Sequence, residues 1–219
     1  MHHTPQIRFW RPTGVTVMQL LHIDSSVLGP HSASRALSAE IVARQRALHP
    51  DIKVTRRDLA ADAALHLSSG HLAAWQGGAV EDGVLGADLV KGGAYLEELF
   101  AADTIVIGAP MYNFSIPSQL KAWIDRVVVA GKTFRYGPNG AEGLLKNKKV
   151  FIASSRGNVY AAGSPAAALE HHESYLTGVL SFIGLTDVTV VRAEGLAFGP
   201  EVKEAAMLKA RANIAAIAA

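Results

Sequence analysis

The chain has 219 residues, of which 49% are hydrophobic and 18% charged, the composition of a folded globular domain and not of a disordered segment. Its formal net charge of only +2 argues against tracking of phosphates along DNA or RNA, and no apolar run reaches the roughly 18 residues that span a bilayer. There is no cysteine, which excludes disulfides, thiolate metal sites, cysteine-ligated clusters and cysteine nucleophiles, and suits a reducing cytoplasm.

Residues 1–17 lack the apolar core of a secretory signal and precede the first strand pattern. They are expected to form a disordered extension, with residues 18–219 as the one folded domain. From there strand and helix patterns alternate. Residues 17–23 are an apolar run broken by Gln19 and His22, and residues 34–48 place Leu37, Ile41 and Leu48 on one helical face. Residues 52–58 read as a second, more exposed strand. Residues 60–93 carry seven glycines and read as an excursion with short helices. Residues 104–110 are almost wholly apolar, as a parallel strand covered on both faces requires. In residues 117–128, Leu120, Trp123, Ile124, Val127 and Val128 form a helical stripe behind a proline start. Residues 131–149 read as a turn-rich loop or small hairpin. Strands at 149–154 and 187–192 and helices at 166–184 and 201–216 complete the chain. Five strands alternating with helices predict a doubly wound α/β fold with a parallel sheet.

In such a sheet, ligands bind outside the carboxyl ends of the strands, where strand order reverses. After the first strand comes the turn Ser25 to Ser34, rich in hydroxyls and leading into a helix. It is neither a dinucleotide fingerprint nor a P-loop, yet backbone N–H groups at a helix start, with Ser32 and Ser34 beside them, suit a phosphate. After the third strand, Met111, Tyr112, Asn113 and Phe114 lie between Pro110 and Pro117, a stiffened loop able to cover a flat aromatic ligand. After the fourth, Ser154 to Asn158 offer a run of backbone amides. Together they describe a nucleotide with a phosphate, a planar ring and a polar ring edge, and flavin mononucleotide meets all three requirements.

The stretch from Ala109 to Val127, APMYNFSIPSQLKAWIDRV, resembles the FMN-dependent NADH:quinone oxidoreductases, or azoreductases, of the flavodoxin-like superfamily. The run Gly131 to Tyr136, the triplet Ala193-Glu194-Gly195 and the later Gly199-Pro200-Glu201 fit the same family, and the likeness runs from about Met18 to the C-terminus. The resemblance implies a flavodoxin-like five-stranded parallel sheet of order 2-1-3-4-5. It implies one FMN per subunit of a homodimer. Ser26, Ser32, Ala33 and Ser34 would hold the phosphate; Met111, Tyr112, Asn113 and Phe114 would flank the isoalloxazine and ribityl chain; Ser155, Arg156, Gly157 and Asn158 would meet the pyrimidine edge. Asn158 departs from the family, which usually has a second glycine there; Asn tolerates left-handed backbone angles better than most residues. The implied reaction is a ping-pong cycle. Hydride passes from NADH or NADPH to flavin N5, and two electrons pass on to a quinone or azo compound. No side chain acts as nucleophile or metal ligand. Phe134 and Tyr136 are candidates for lining the acceptor pocket, or else pack under a hairpin.

Other constellations read as structural. His171 and His172, adjacent in sequence, point apart on a helix and with Glu170 and Glu173 form an expected solvated face; Glu97 and Glu98 read likewise as hydrated. His66 and His71 lack a third ligand nearby, and His22 packs beside the sheet. The rival reading is a flavodoxin-type electron carrier. Such carriers tend to be acidic, for steering to basic partners, whereas this chain has an isoelectric point of about 8.9.

Overall fold

The computed structural model describes residues 17–218. In chain order the elements are β1 (Gln19–Asp24), α1 (Ala33–Leu48), β2 (Lys53–Asp58), α2 (Ser69–Trp75), α3 (Gly83–Ala101), β3 (Thr104–Pro110) and α4 (Ser118–Val127). Then come β4 (Phe134–Gly137), β5 (Gly140–Gly143), β6 (Lys149–Ser155), α5 (Glu173–Phe182), β7 (Asp187–Ala193) and α6 (Pro200–Ala215). Five strands form one parallel sheet in the order β2-β1-β3-β6-β7. This is the expected 2-1-3-4-5 arrangement, with β4 and β5 set apart as an antiparallel hairpin.

The alternation of strand side chains splits the core in two. Leu21, Ile23, Ile105, Ile107 and Ile152 face Tyr95, Trp123 and Leu176 of α3, α4 and α5. Leu20, Val106, Phe151 and Val191 face Leu37, Ile41, Met207 and Ile214 of α1 and α6. β3 is buried along its whole length, whereas β2, at the sheet edge, is largely exposed. Among the described residues no helix is long and apolar enough to cross a membrane.

Three sequence expectations are corrected. The glycine-rich excursion holds one short helix, α2, but α3 begins inside it and runs for 19 residues. Asp82 caps α3 by accepting the N–H of Val84 at 2.8 Å. Gly92 lies against α4, where a side chain would meet Arg126 Cδ at 3.0 Å. The glycine serves a close helix contact and does not break the helix. Arg126 in turn donates through Nε to Asp88 at 2.8 Å and through Nη2 to the Leu65 carbonyl at 2.8 Å, with His71 Nε2 3.1 Å from Asp88. His71 is thus a buried tether of the excursion.

The helix expected over 166–184 starts only at Glu173, after a 3-10 turn at Ala167–Leu169. Glu170 is the cause. Its carboxylate accepts the N–H groups of His172, Glu173 and Ser174 at 3.1, 2.7 and 3.1 Å, closing the helix start. The expected solvated face is therefore wrong as well: His172 is 0% exposed and Glu173 is 7% exposed, while only His171 of the histidine pair faces water. The N-terminal extension expected over residues 1–17 falls, apart from Val17, outside the described residues.

Candidate functional site

Strand order reverses between β1 and β3, because β2 lies on one side of β1 and β3 on the other. The loops after β1, β3 and β6 gather at the carboxyl ends of those strands.

The first loop is tied down at several points. Ser25 donates to the Gly108 carbonyl through both its N–H (3.2 Å) and its Oγ (2.7 Å). Gly29, at φ +52°, opens a 3-10 turn that delivers Ser32 to the N-cap of α1. Ser32 Oγ accepts the N–H of Arg35 at 3.3 Å and lies 3.0 Å from Ser34 Oγ, both hydroxyls being buried. The N–H groups of Ala33 and Ser34 open the helix and have no intrahelical partner. Ser26 plays a different part. Its Oγ is engaged with Leu28 N–H and with the Tyr112 hydroxyl, so its side chain shapes the loop.

Arg35, not among the residues expected at the site, braces the same loop. It donates through Nε and Nη2 to the Ser26 carbonyl at 3.0 and 2.8 Å, and through Nη1 and Nη2 to Asp58 at 2.7 and 2.6 Å. The hydrogen bond from Arg35 is the leading reason that the Asp58 carboxyl is held below its usual range. Beneath the loop lies Asp24. Burial raises its pKa, but His22, Ser38 and Arg56 outweigh burial and lower it to about 2. His22, expected beside the sheet, sits 3.0 Å from Ser38 Oγ.

The second loop is a two-residue turn. Tyr112 and Ser115 exchange both backbone hydrogen bonds, at 2.9 and 3.1 Å, while Asn113 and Phe114 take φ values of +47° and +72°. Two successive left-handed residues are what a type I′ turn requires. Asn accepts that conformation readily; a Phe there is strained, and strain of this kind gathers at functional sites. The Phe114 ring is 43% exposed and meets Tyr160 edge-on at 6.3 Å. Met111 joins this loop to the third through its N–H, bonded to the Ser155 carbonyl at 2.8 Å. Beside the turn lies an open hollow of about 650 Å³, lined in part by Val27, Tyr112, Asn113, Lys121 and Tyr175.

The third loop is held by the segment after β7. Arg156 N–H bonds to the Ala193 carbonyl at 2.9 Å, and the carbonyls of Arg156, Gly157 and Asn158 accept from Leu196, Ala197 and Gly195. The N–H groups of Gly157 and Asn158 bond to nothing among the described residues, and both residues are exposed. Neither has a positive φ, so the departure at Asn158 brings no backbone strain. Its Oδ1 accepts the N–H of Val159 at 2.7 Å, stiffening the turn. Arg156 differs from its neighbours. Its guanidinium is 1% exposed and is paired inward with Glu173, so only its backbone borders the loop.

The structure therefore brings Ser26, Ser32, Ala33, Ser34, Met111, Tyr112, Asn113, Phe114, Ser155, Gly157 and Asn158 to one sheet edge. Phe134 and Tyr136 lie elsewhere in the chain. Phe134 packs on Phe182 at 4.6 Å between ring centres, at the far end of α5, and the 76%-exposed Tyr136 lies beyond it. The ten residues of α5 put Phe182 about 13–14 Å from its start.

The model of the flavodoxin-like fold family, Flavodoxin_2, matches residues 18–218. The FMN-dependent NADH:quinone oxidoreductase of Methylorubrum populi is 54% identical over 92% of this chain and the whole of its own length. The chain belongs to this family. A second family member, FMN-dependent NADH:quinone oxidoreductase 2 of Bradyrhizobium diazoefficiens, is 56% identical over 87% of this chain and 94% of its own. Among solved structures, the azoreductase of Bacillus anthracis strain Sterne superposes with a TM-score of 0.80 at 27% identity, covering 91% of this chain and 97% of the other.

Proposed function

We propose that this chain is an FMN-dependent NADH oxidoreductase that reduces quinones by two electrons and cleaves aromatic azo compounds reductively. The observation that carries the reading is the convergence of three loops, each offering one part of what FMN needs, at the switch point of the sheet. The residues fit the cofactor. Buried hydroxyls and free amides at the start of α1 suit a dianionic phosphate, and the Asn113-Phe114 turn presents an aromatic edge. Two unpaired N–H groups at 157 and 158 suit a ring edge rich in acceptors.

Bound FMN supplies two-electron chemistry between NADH and the acceptor. The protein supplies position. Ser32, Ser34 and the amides of residues 33–34 hold the phosphate, with no lysine poised to transfer it. Met111, Tyr112, Asn113 and Phe114 flank the ring and the ribityl chain, and Phe114 with Tyr160 closes one side against water. Ser155, Gly157 and Asn158 face the pyrimidine edge, and the N–H groups of Gly157 and Asn158 stabilise negative charge there. Arg156 contributes its backbone.

Residues 18–219 form the FMN-binding domain in this reading, residues 1–17 lie outside it, and the protein acts in the cytoplasm as a homodimer. Tyr136, remote from the loops of its own protomer, reaches an acceptor only from the second subunit. A carrier role is not favoured, since the relatives are named as oxidoreductases. The test is steady-state oxidation of NADH with a small quinone and no partner protein. Turnover with parallel double-reciprocal lines is expected; NADH oxidation that requires a second protein would contradict the reading.

A further inference from the structure

Glu173, the first residue of α5, is buried beside the candidate site, and none of the roles assigned above uses it. Its carboxylate pairs with the buried guanidinium of Arg156 and accepts from Arg192 Nε at 2.9 Å. Arg156 begins the turn whose 157–158 amides face outward. Glu170 and Glu194 stand farther off, at 3.7 and 3.8 Å from the same guanidinium.

The segment that carries Glu173 also grips the other loop. His171 N–H bonds to the Phe114 carbonyl at 3.2 Å, and Ser115 Oγ donates to the His171 carbonyl at 3.3 Å. Glu170 fixes this segment through the three N–H groups that it accepts at the start of α5. One short stretch, 170–173, therefore joins residues 112–115 to residues 156–158.

We propose that Glu173 is a positioning residue for the flavin: by pairing with Arg156 inside the protein, it sets the 157–158 amides against the 112–115 turn and cancels the charge of Arg156 at the pyrimidine edge. The inference rests on the FMN reading above. Its electrostatic part follows from the charges around Arg156. Two guanidinium groups, Arg156 and Arg192, face three carboxylates, Glu170, Glu173 and Glu194. His172 beside them is held neutral, chiefly by burial and then by Arg156, with its pKa lowered to about 4. Glu173 stays charged: burial raises its pKa, but Arg192, Ser154 and Arg156 outweigh this and lower it to about 2. With Glu173 neutralised, the buried positive charge of Arg156 would favour added electrons on a nearby ring and raise its reduction potential.

The experiment compares the FMN-loaded wild type with Glu173→Gln and Glu173→Asp, reading FMN affinity by fluorescence and the potential of bound FMN against a reference dye. Glu173→Gln is expected to bind FMN about tenfold or more weakly and to show a higher potential, and Glu173→Asp to restore most of both. A folded Glu173→Gln protein with wild-type affinity and potential would overturn the inference. Should Glu173→Gln fail to fold, Arg156→Met combined with Glu173→Gln removes both buried charges. That pair is expected to keep the wild-type potential and to bind FMN more weakly; unchanged affinity would overturn the proposal. A wild-type chain that takes up no FMN overturns the proposed function itself, and this inference with it.

Discussion

The Tyr112 hydroxyl stands 3.1 Å from Ser26 Oγ and accepts the N–H of Val27 at 3.2 Å, so one phenol joins the loop after β3 to the loop after β1. Ser26 is completely buried at this contact. The two loops that hold opposite ends of the cofactor in the proposed reading are thus spaced by a side chain, over a sheet whose register is already fixed by Ile23 and Ile107.

Tyr112→Phe removes that contact and leaves the ring in place. FMN affinity is expected to fall about two- to tenfold, the range for one or two neutral hydrogen bonds, with little change in the unfolding midpoint. Fluorescence titration and urea unfolding check both. A large loss of stability with unchanged affinity would show that the phenol serves the core and not the spacing of the loops.

The serine turn answers to the phosphate alone. Ser32→Ala combined with Ser34→Ala is expected to weaken FMN about tenfold or more and to leave riboflavin, which has no phosphate, bound as before. Equal losses for the two ligands would move the phosphate elsewhere. Arg35→Met, which frees the Ser26 carbonyl, is expected to show the same preference for FMN over riboflavin in a milder form.

Phe114 holds a left-handed backbone angle that costs an ordinary residue about 1–2 kcal/mol. Phe114→Gly is therefore expected to leave the FMN-free protein as stable or up to about 1 kcal/mol more stable, while weakening FMN binding through loss of the ring. Thermal unfolding with and without FMN separates the two effects. A variant that is clearly less stable without FMN would mean that the ring is needed for folding.

His172 sets a pH limit on stability. Its pKa in the fold is lowered to about 4 from an ordinary 6.5, by burial first and then by Arg156. A depressed histidine contributes stability that is complete above pH 6.5 and is lost as pH falls toward 4, because the unfolded chain takes up the proton first. Unfolding free energy is expected to drop by about 2 kcal/mol between pH 7 and pH 5, and His172→Gln to flatten that slope. Urea unfolding at the two pH values measures it; an unchanged slope in the variant would assign the drop to other groups.

Much of this was legible in the sequence because it rests on local pattern. The apolar run of β3, the Trp123 stripe of α4 and the serine turn declare themselves within ten residues. So does the Met111 to Phe114 loop, although nothing in its letters says that Phe114 takes a left-handed angle. What was not legible depends on contacts across the chain. Glu173 looks like a solvated partner of His172 until Arg156 and Arg192 are brought to it from 17 and 19 positions away. Gly92 reads only as one glycine of the excursion until Arg126 packs against it, and nothing local says that the Arg156 side chain turns inward and leaves its backbone at the loop. Arg35 offered one local signal: a cation directly after the serine turn, with Asp58 ending the neighbouring strand.

The most direct measurement of the central claim is the visible absorption spectrum of the purified protein, taken before and after NADH is added without oxygen. A yellow protein whose flavin band NADH bleaches rapidly is the expected result. A colourless protein that also takes up no added FMN would contradict the cofactor assignment. A yellow protein that NADH leaves unbleached would contradict the reductase activity and favour an electron carrier.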